Sequence, residues 1–292
     1  MPELPDITVY IERLQAKVQG QRLKRLRVQN PFVLRTAVPA ISQAEGKRID
    51  GIERLGKRVV LVLEGGLLLV IHLMIAGRLR WLAPLAKAPG KIALVLFEFD
   101  AGTLVLTEAG TQRRASIHLL ADRAALCAMD PGGIDVLACE FSAFSARLQM
   151  ENHTLKRALT DPRLFSGIGN AYSDEILHRA RLSPVSLTRA LPVESQQRLL
   201  NATREVLEEW TARLRSQAGD WPDKVTAFHP EMAVHGRYGQ PCPVCATPVQ
   251  RIVHASNETN YCARCQTGGR LLADRALSKL LKASWPKTVD DL

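Results

Sequence analysis

The chain opens Met1-Pro2-Glu3-Leu4-Pro5-Asp6, and two neighbouring residue types there could do chemistry. Removal of Met1 would leave Pro2 with a free secondary amine, whose pKa as an ordinary α-amino group is near ~8. A secondary amine attacks an aldehyde carbon to give an iminium, which is cationic without a further proton and draws electrons from a neighbouring C–O bond. Glu3 adds a carboxylate able to give or take a proton in the same small volume. Pro5 stiffens the approach, and Asp6 reads as the N-cap of a following helix. Alone, Met-Pro-Glu is a common opening, so the reading depends on what the rest of the chain supplies.

The elements that must hold these residues follow in order. Ile7, Ile11, Leu14 and Val18 recur at helical spacing up to Gly20, which predicts a helix with one buried face and an anchored N-terminus. Residues 21 to about 125 read as strands. A short basic strand covers 22–28, and hairpins join 59–63 to 67–71 through Glu64-Gly65-Gly66 and 93–99 to 103–106 through Asp100-Ala101-Gly102. Residues 83–90 form a loop. Short strands at this spacing predict a β-sandwich. Lys57 opens the first hairpin; a lysine there is ordinarily solvated, but close to the N-terminus it could hold a phosphate.

From about Phe141 the period becomes helical. A short helix covers 151–160, then Gly167-Ile168-Gly169-Asn170 makes a tight turn into a second helix that stops before Pro184. Helix, two turns and helix, with free amides at the second start, suits a phosphate, although it also describes a plain helical corner. A long amphipathic helix spans 193–217, and residues 219–240 read as loop.

Cys242-Pro-Val-Cys245, sixteen intervening residues and Cys262-Ala-Arg-Cys265 have the spacing of two zinc knuckles around a hairpin. Four thiolates close the coordination shell, which predicts one structural Zn²⁺ and no catalytic role for it. Cys127 and Cys139 read as unpaired thiols. Asp274 to Lys282 reads as a short helical tail.

The 292 residues fit two domains with a small third, and 46% hydrophobic content supports real cores. Lys plus Arg number 39 against 29 Asp plus Glu, a net charge of +10. The excess is spread over both halves, so a polyanion, nucleic acid first, is the expected partner. No apolar run has membrane-spanning length and no signal segment opens the chain, which predicts a cytosolic protein. A monomer is the default expectation.

Together these residues resemble the formamidopyrimidine-DNA glycosylase/endonuclease VIII (Fpg/Nei) family over nearly the whole chain. The matching pieces, in family order, are Pro2-Glu3-Leu4-Pro5, Lys57, His72-Leu73 ahead of Gly77-Arg78-Leu79, Gly167 to Glu175, and the finger with Tyr261-Cys262 and Cys265-Gln266. The resemblance implies a bifunctional glycosylase/AP lyase acting on oxidised bases in damaged DNA. Pro2 would attack C1′, Glu3 would donate a proton, Lys57 and Asn170 would grip phosphates flanking a flipped base, and Lys156 would add a basic contact.

Four departures from the family pattern stand out. Asp6 replaces the usual Glu. The apolar wedge falls on Ile75 or Met74. The loop that usually carries an arginine and an aromatic reads Glu108-Ala-Gly-Thr-Gln-Arg113-Arg114-Ala115, which offers Arg113 or Arg114 and no aromatic. The finger tip, Ser256 to Asn260, lacks the usual arginine.

The expected fold is α+β: an N-terminal β-sandwich with its leading helix (1–125), a helix-two-turn-helix domain (126–237), a C-terminal four-cysteine zinc finger (238–270) and a helical tail (271–292). The expected substrate is damaged DNA, as duplex, single strand or bubble. A non-catalytic damaged-DNA binder would have no need of Pro2, Glu3 and Lys57 together. A zinc-dependent protein-interaction module would explain the cysteines but not the other motifs.

Overall fold

A computed structural model of the chain describes residues 1–110, 112–223, 225–226, 228–254, 257–272, 280 and 286–291. It divides into two compact units, Met1–Pro131 with Trp210–Thr226, and Gly132–Glu209 with Ala227–Leu292.

The first unit is the expected β-sandwich. Its strands are β1 (Arg25–Val28), β2 (Ile49–Leu55), β3 (Arg58–Leu63), β4 (Leu68–His72), β5 (Gly77–Leu82), β6 (Ala93–Phe99), β7 (Gly102–Glu108) and β8 (Ser116–Leu120). They form two antiparallel sheets in the orders β1-β6-β7-β5 and β2-β3-β4-β8. Alternation sets the layers. Val59, Leu61, Ile71 and Ile117 face inward against Val95, Phe97, Leu104 and Leu106. Val60, Val70 and Leu120 face outward and are covered with Leu126 of a short helix, α2 (Arg123–Ala128).

The leading helix α1 (Leu4–Val18) buries Ile7, Tyr10, Leu14 and Val18 in the sandwich core. Each such apolar side chain contributes about 1.5–3 kcal/mol on burial, so the chain start is fixed. The expected N-cap at Asp6 is corrected: the helix begins earlier, with Glu3 extended at the N-cap and Asp6 at the third helical position in a capping box. Pro5 favours this start because the first helical turn does not use its missing N–H.

In the second unit, α3 spans Phe141–Gln149, α4 Leu155–Thr160, α5 Asn170–Arg179 and α6 Val193–Gln217. The expected helix over 151–160 is shorter, because Thr154 caps α4 by accepting from Arg157 N–H. The last turns of α6, from Trp210, belong to the first unit. The finger contributes β9 (Gln250–His254), β10 (Asn257–Tyr261) and α7 (Ala263–Thr267). Among the described residues no helix is long and apolar enough to cross a membrane. The expected tail helix, 274–282, lies outside the described residues apart from Leu280.

Candidate functional site

Strand register gathers the sandwich residues of interest at one end. Arg58 pairs with His72, and His72 with Ser116; in the other sheet Gly77 pairs with Glu108. Three connections therefore lie at the same end: the β2–β3 turn carrying Gly56-Lys57, the β4–β5 crossing 73–76, and the β7–β8 crossing 109–115. Lys57, Met74, Ile75, Arg113 and Arg114 all sit on them.

The N-terminus belongs to this end as well. Glu3 is 2% exposed and Asp6 5%, and the Asp6 carboxylate accepts the Glu3 N–H at 2.9 Å. Burial pushes the Asp6 carboxyl up to about 7; the Glu3 charge adds to this, while the Glu3 N–H, the terminal amine and Arg78 oppose it. The chain carries Met1, so the Met1 ammonium stands one residue ahead of the Pro2 nitrogen. Its pKa is lowered, first by burial; Glu3 and Asp6 raise it, and Arg78 and Lys57 lower it. These five groups thus share one electrostatic neighbourhood.

Arg78 is a residue to which sequence reasoning gave no role, although it stands inside the quoted Gly77-Arg78-Leu79. Its Nε donates to Val225 O at 2.5 Å, and its Nη1 donates to Gly77 O at 2.7 Å and Ile75 O at 3.2 Å. It ties the β4–β5 crossing to the segment after α6. One residue on, Leu79 O accepts from Trp221 Nε1 at 3.1 Å, and its N–H donates to the Tyr10 hydroxyl at 3.3 Å. Beside these contacts is a cavity of about 620 Å³ lined by Asp6, Val9, Trp81, Asp220, Trp221 and Val225, among others. Its lining combines indole and aliphatic groups with the carboxylates of Asp6, Asp220 and Asp223.

In the β4–β5 crossing Gly77 N–H donates to Leu73 O at 2.9 Å. A Cβ at position 77 would lie 2.2 Å from that oxygen, so only glycine closes this turn. Met74 takes a left-handed φ of 52°, and Ile75 is thrust outward, 59% exposed. The neighbouring crossing is held by buried Glu108, whose Oε2 accepts from Arg114 N–H at 2.8 Å and Ala115 N–H at 2.9 Å. Arg113 and Arg114 remain exposed, donating to Lys91 O at 2.8 Å and Gln112 Oε1 at 3.3 Å.

In the second unit Gly167, with φ of 85°, turns the chain into α5, and Asn170 is the first residue of that helix. Its Nδ2 donates to Glu258 O on β10 at 2.9 Å. Lys156, expected as a basic contact, directs Nζ to Asn170 O at 2.7 Å, Ser173 Oγ at 2.8 Å and Asp174 Oδ1 at 2.5 Å. An ammonium has three N–H donors, and three acceptors within the fold match them. Asp174 Oδ2 also meets His235 Nδ1 at 2.8 Å. The buried Glu175 carboxylate accepts from the N–H groups of Ala233, Val234 and His235.

The sulfurs of Cys242, Cys245, Cys262 and Cys265 all lie within 4.8 Å of one another. Individual separations are 3.4 Å (Cys245–Cys262), 3.5 Å (Cys245–Cys265) and 3.9 Å (Cys242–Cys265). A tetrahedron with Zn–S near 2.3 Å requires roughly 3.8 Å between sulfurs, so the four fit one structural zinc. At the finger tip residues 255–256 lie outside the described residues. On β9, Arg251 pairs with Glu258 at 3.2 Å and covers the Tyr238 ring.

Comparison with known proteins gives concordant results. Residues 1–116 match the family model of the formamidopyrimidine-DNA glycosylase N-terminal domain, residues 133–217 that of the formamidopyrimidine-DNA glycosylase H2TH domain, and residues 239–268 that of the zinc finger found in FPG and IleRS. The formamidopyrimidine-DNA glycosylase of Thermus thermophilus is 36% identical over 280 residues, covering 92% of this chain and 100% of the relative. That of Solibacter usitatus is 31% identical over 91% of this chain and 99% of the relative. Among solved structures, the MutM (Fpg) protein of Thermus thermophilus aligns with TM-score 0.76 at 34% identity, over 91% of this chain and 98% of that one. The Lactococcus lactis Fpg bound to Fapy-dG-containing DNA aligns with TM-score 0.81 at 24% identity, over 91% and 100%, a likeness of fold.

Proposed function

Since the chain belongs to the formamidopyrimidine-DNA glycosylase family and is a DNA glycosylase, we propose that it removes oxidised bases from damaged DNA and nicks the strand at the resulting site, using Pro2 as nucleophile. What supports this is the gathering of Glu3, Asp6, Lys57 and Arg78 about the chain start, one residue ahead of the Pro2 nitrogen, with the Glu3 N–H held by Asp6 at 2.9 Å. At the Met1 amine burial lowers the pKa, with Glu3 and Asp6 opposing and Arg78 and Lys57 assisting, and a neutral amine is the form that attacks.

With Met1 removed, the Pro2 nitrogen bonds to C1′ as the glycosidic C–N bond breaks and its electron pair leaves with the base. Glu3 supplies a proton to the opening sugar. Loss of the amine proton and ring opening leave an iminium between Pro2 and C1′. That cation makes the C2′ proton acidic, and its removal expels the 3′ phosphate by β-elimination; a second elimination releases the 5′ phosphate. Water then returns free Pro2. Lys57 and Asn170 each meet a backbone phosphate, Ile75 or Met74 enters the gap left by the flipped base, and Arg113 or Arg114 faces the partner strand. The cavity beside Asp6, Trp81 and Trp221 is the candidate receptacle for the base. The net charge of +10 suits association with DNA.

A panel of defined lesions in duplex and single-stranded DNA, scored separately for base loss and strand cleavage, tests this reading. Binding to damage without base loss on every lesion would replace it with a non-catalytic damage binder.

A further inference from the structure

Within the second unit the finger is attached to α5 by a contact outside the family motifs quoted above. His178, in the last turn of α5, is buried, and its Nε2 lies 3.3 Å from Sγ of Cys242. A thiolate bound to zinc has no proton and can only accept. The imidazole must therefore carry its proton on Nε2 and donate it, which fixes the tautomer. Four thiolates and one Zn²⁺ leave a net charge of −2, and Cys242 is a ligand turned away from water, 2% exposed beside a buried ring. A further donor to it is the Val244 N–H, a long contact at 3.5 Å.

We infer that His178 is a positioning residue for the metal centre: its Nε2–H holds the Cys242 thiolate, offsets the negative charge of the four-thiolate cluster, and clips the finger to the helix that begins with Asn170. The other fastenings along α5 support this. At its start Asn170 bonds Glu258 O of β10, and in its middle Glu175 takes three N–H groups from 233–235. Just past its end Leu182 O accepts from Gln266 Nε2, one residue after the ligand Cys265. Ten residues of helix, about 15 Å, thus hold the finger and the segment that leads into it along their length, and His178 is the fastening made directly to a metal ligand. Loss of the metal would release one end of the surface that carries Asn170 and β10. The inference stands apart from the proposed chemistry at Pro2.

The test uses the full-length zinc-loaded protein with two variants. H178F keeps the ring volume and removes the donor; H178Q returns an N–H near the Nε2 position. Zinc transfer to the chelator 4-(2-pyridylazo)resorcinol is followed by absorbance, with circular dichroism confirming the fold. Transfer should be about tenfold or more faster for H178F, the usual scale for outer-shell donors, and should return towards the native rate for H178Q. A native rate for H178F, or equal acceleration in both variants, would overturn the inference, the latter by assigning His178 to packing. A second measurement needs no substitution: in protein reconstituted with cadmium-113, the His178 Hε2 should show scalar coupling to the metal through sulfur. A cadmium-bound protein whose His178 carries its proton on Nδ1 would contradict the assignment.

Discussion

The Asp6 carboxylate accepts the backbone N–H of Glu3 at 2.9 Å while itself buried at the start of α1. The capping box that begins the first helix is therefore also the device that orients the proposed proton donor, and the residue that completes it is an acid held away from water.

Asp6 gives a pH dependence with a defined sign. Its folded pKa, about 7, stands above the ordinary 3.8. Between these values the folded state keeps a proton that the unfolded chain has released, so stability falls as pH rises, by at most ~1.4 kcal/mol per unit. Below pH 4 both states hold the proton and none of this stability is lost, and above pH 7 both have released it and the loss is complete. Asp6→Asn keeps the acceptor and cannot ionise. Unfolding by urea at pH 4, 6 and 8 should show the variant gaining on the native protein from the first to the last. Parallel curves would mean Asp6 titrates normally.

The two lysines should behave differently. Lys57→Ala should weaken binding to all DNA sequences alike and reduce the salt slope by about one counterion. Lys156→Met should act through folding. It leaves buried Asp174 without its cation, a loss on the order of 3–5 kcal/mol, and should leave the salt slope of the surviving folded protein unchanged. Denaturant unfolding and salt titrations on both variants separate the cases. A smaller salt slope with native stability in Lys156→Met would assign Lys156 to phosphate contact.

Glu3→Gln should lose base excision by about 10²–10⁴-fold, since the amide keeps shape but transfers no proton, while DNA affinity changes little. Single-turnover excision and equilibrium binding are the two readings. Normal excision would remove Glu3 from the mechanism.

The crossing loops present exposed Ile75 with Arg113 and Arg114, and Ala115 and Ile117 behind them are buried. A plug without an aromatic should contact the orphaned base with little specificity and stabilise the opened duplex weakly. We expect little preference for the opposite base and relatively good activity on single strands and bubbles, read as kcat/KM on one lesion opposite each base. Discrimination of about a hundredfold, ~3 kcal/mol, would mean an arginine reads the partner strand.

Much of this was legible in the sequence because the signals were local. Cysteine spacing marked the finger, apolar runs on either side of glycine-bearing turns marked the two hairpins, and the 3.6 period marked both ends of α6. What escaped depends on tertiary packing. The short strands β2, β5 and β8 mix polar with apolar residues, since each packs one face or ends at the functional crossings. Arg78 sits in a readable motif, but its role comes from Val225, 147 residues away. Lys156 looks like a phosphate contact by sequence, and only α5 shows that Asp174 and Ser173 occupy it. The sequence pattern puts the cap at Asp6, one turn too late, because Glu3 is an uncommon N-cap and the Pro5 signal is compatible with either start.

The central claim is covalent chemistry at Pro2, and borohydride trapping measures it most directly. Protein with Met1 removed, incubated with abasic-site DNA and sodium borohydride, should yield a stable protein–DNA adduct that peptide mapping locates at Pro2. Protein retaining Met1 or an N-terminal tag should give none, because the proline nitrogen is then an amide. Equal trapping by the tagged protein, or an adduct mapping to a lysine, would contradict the account.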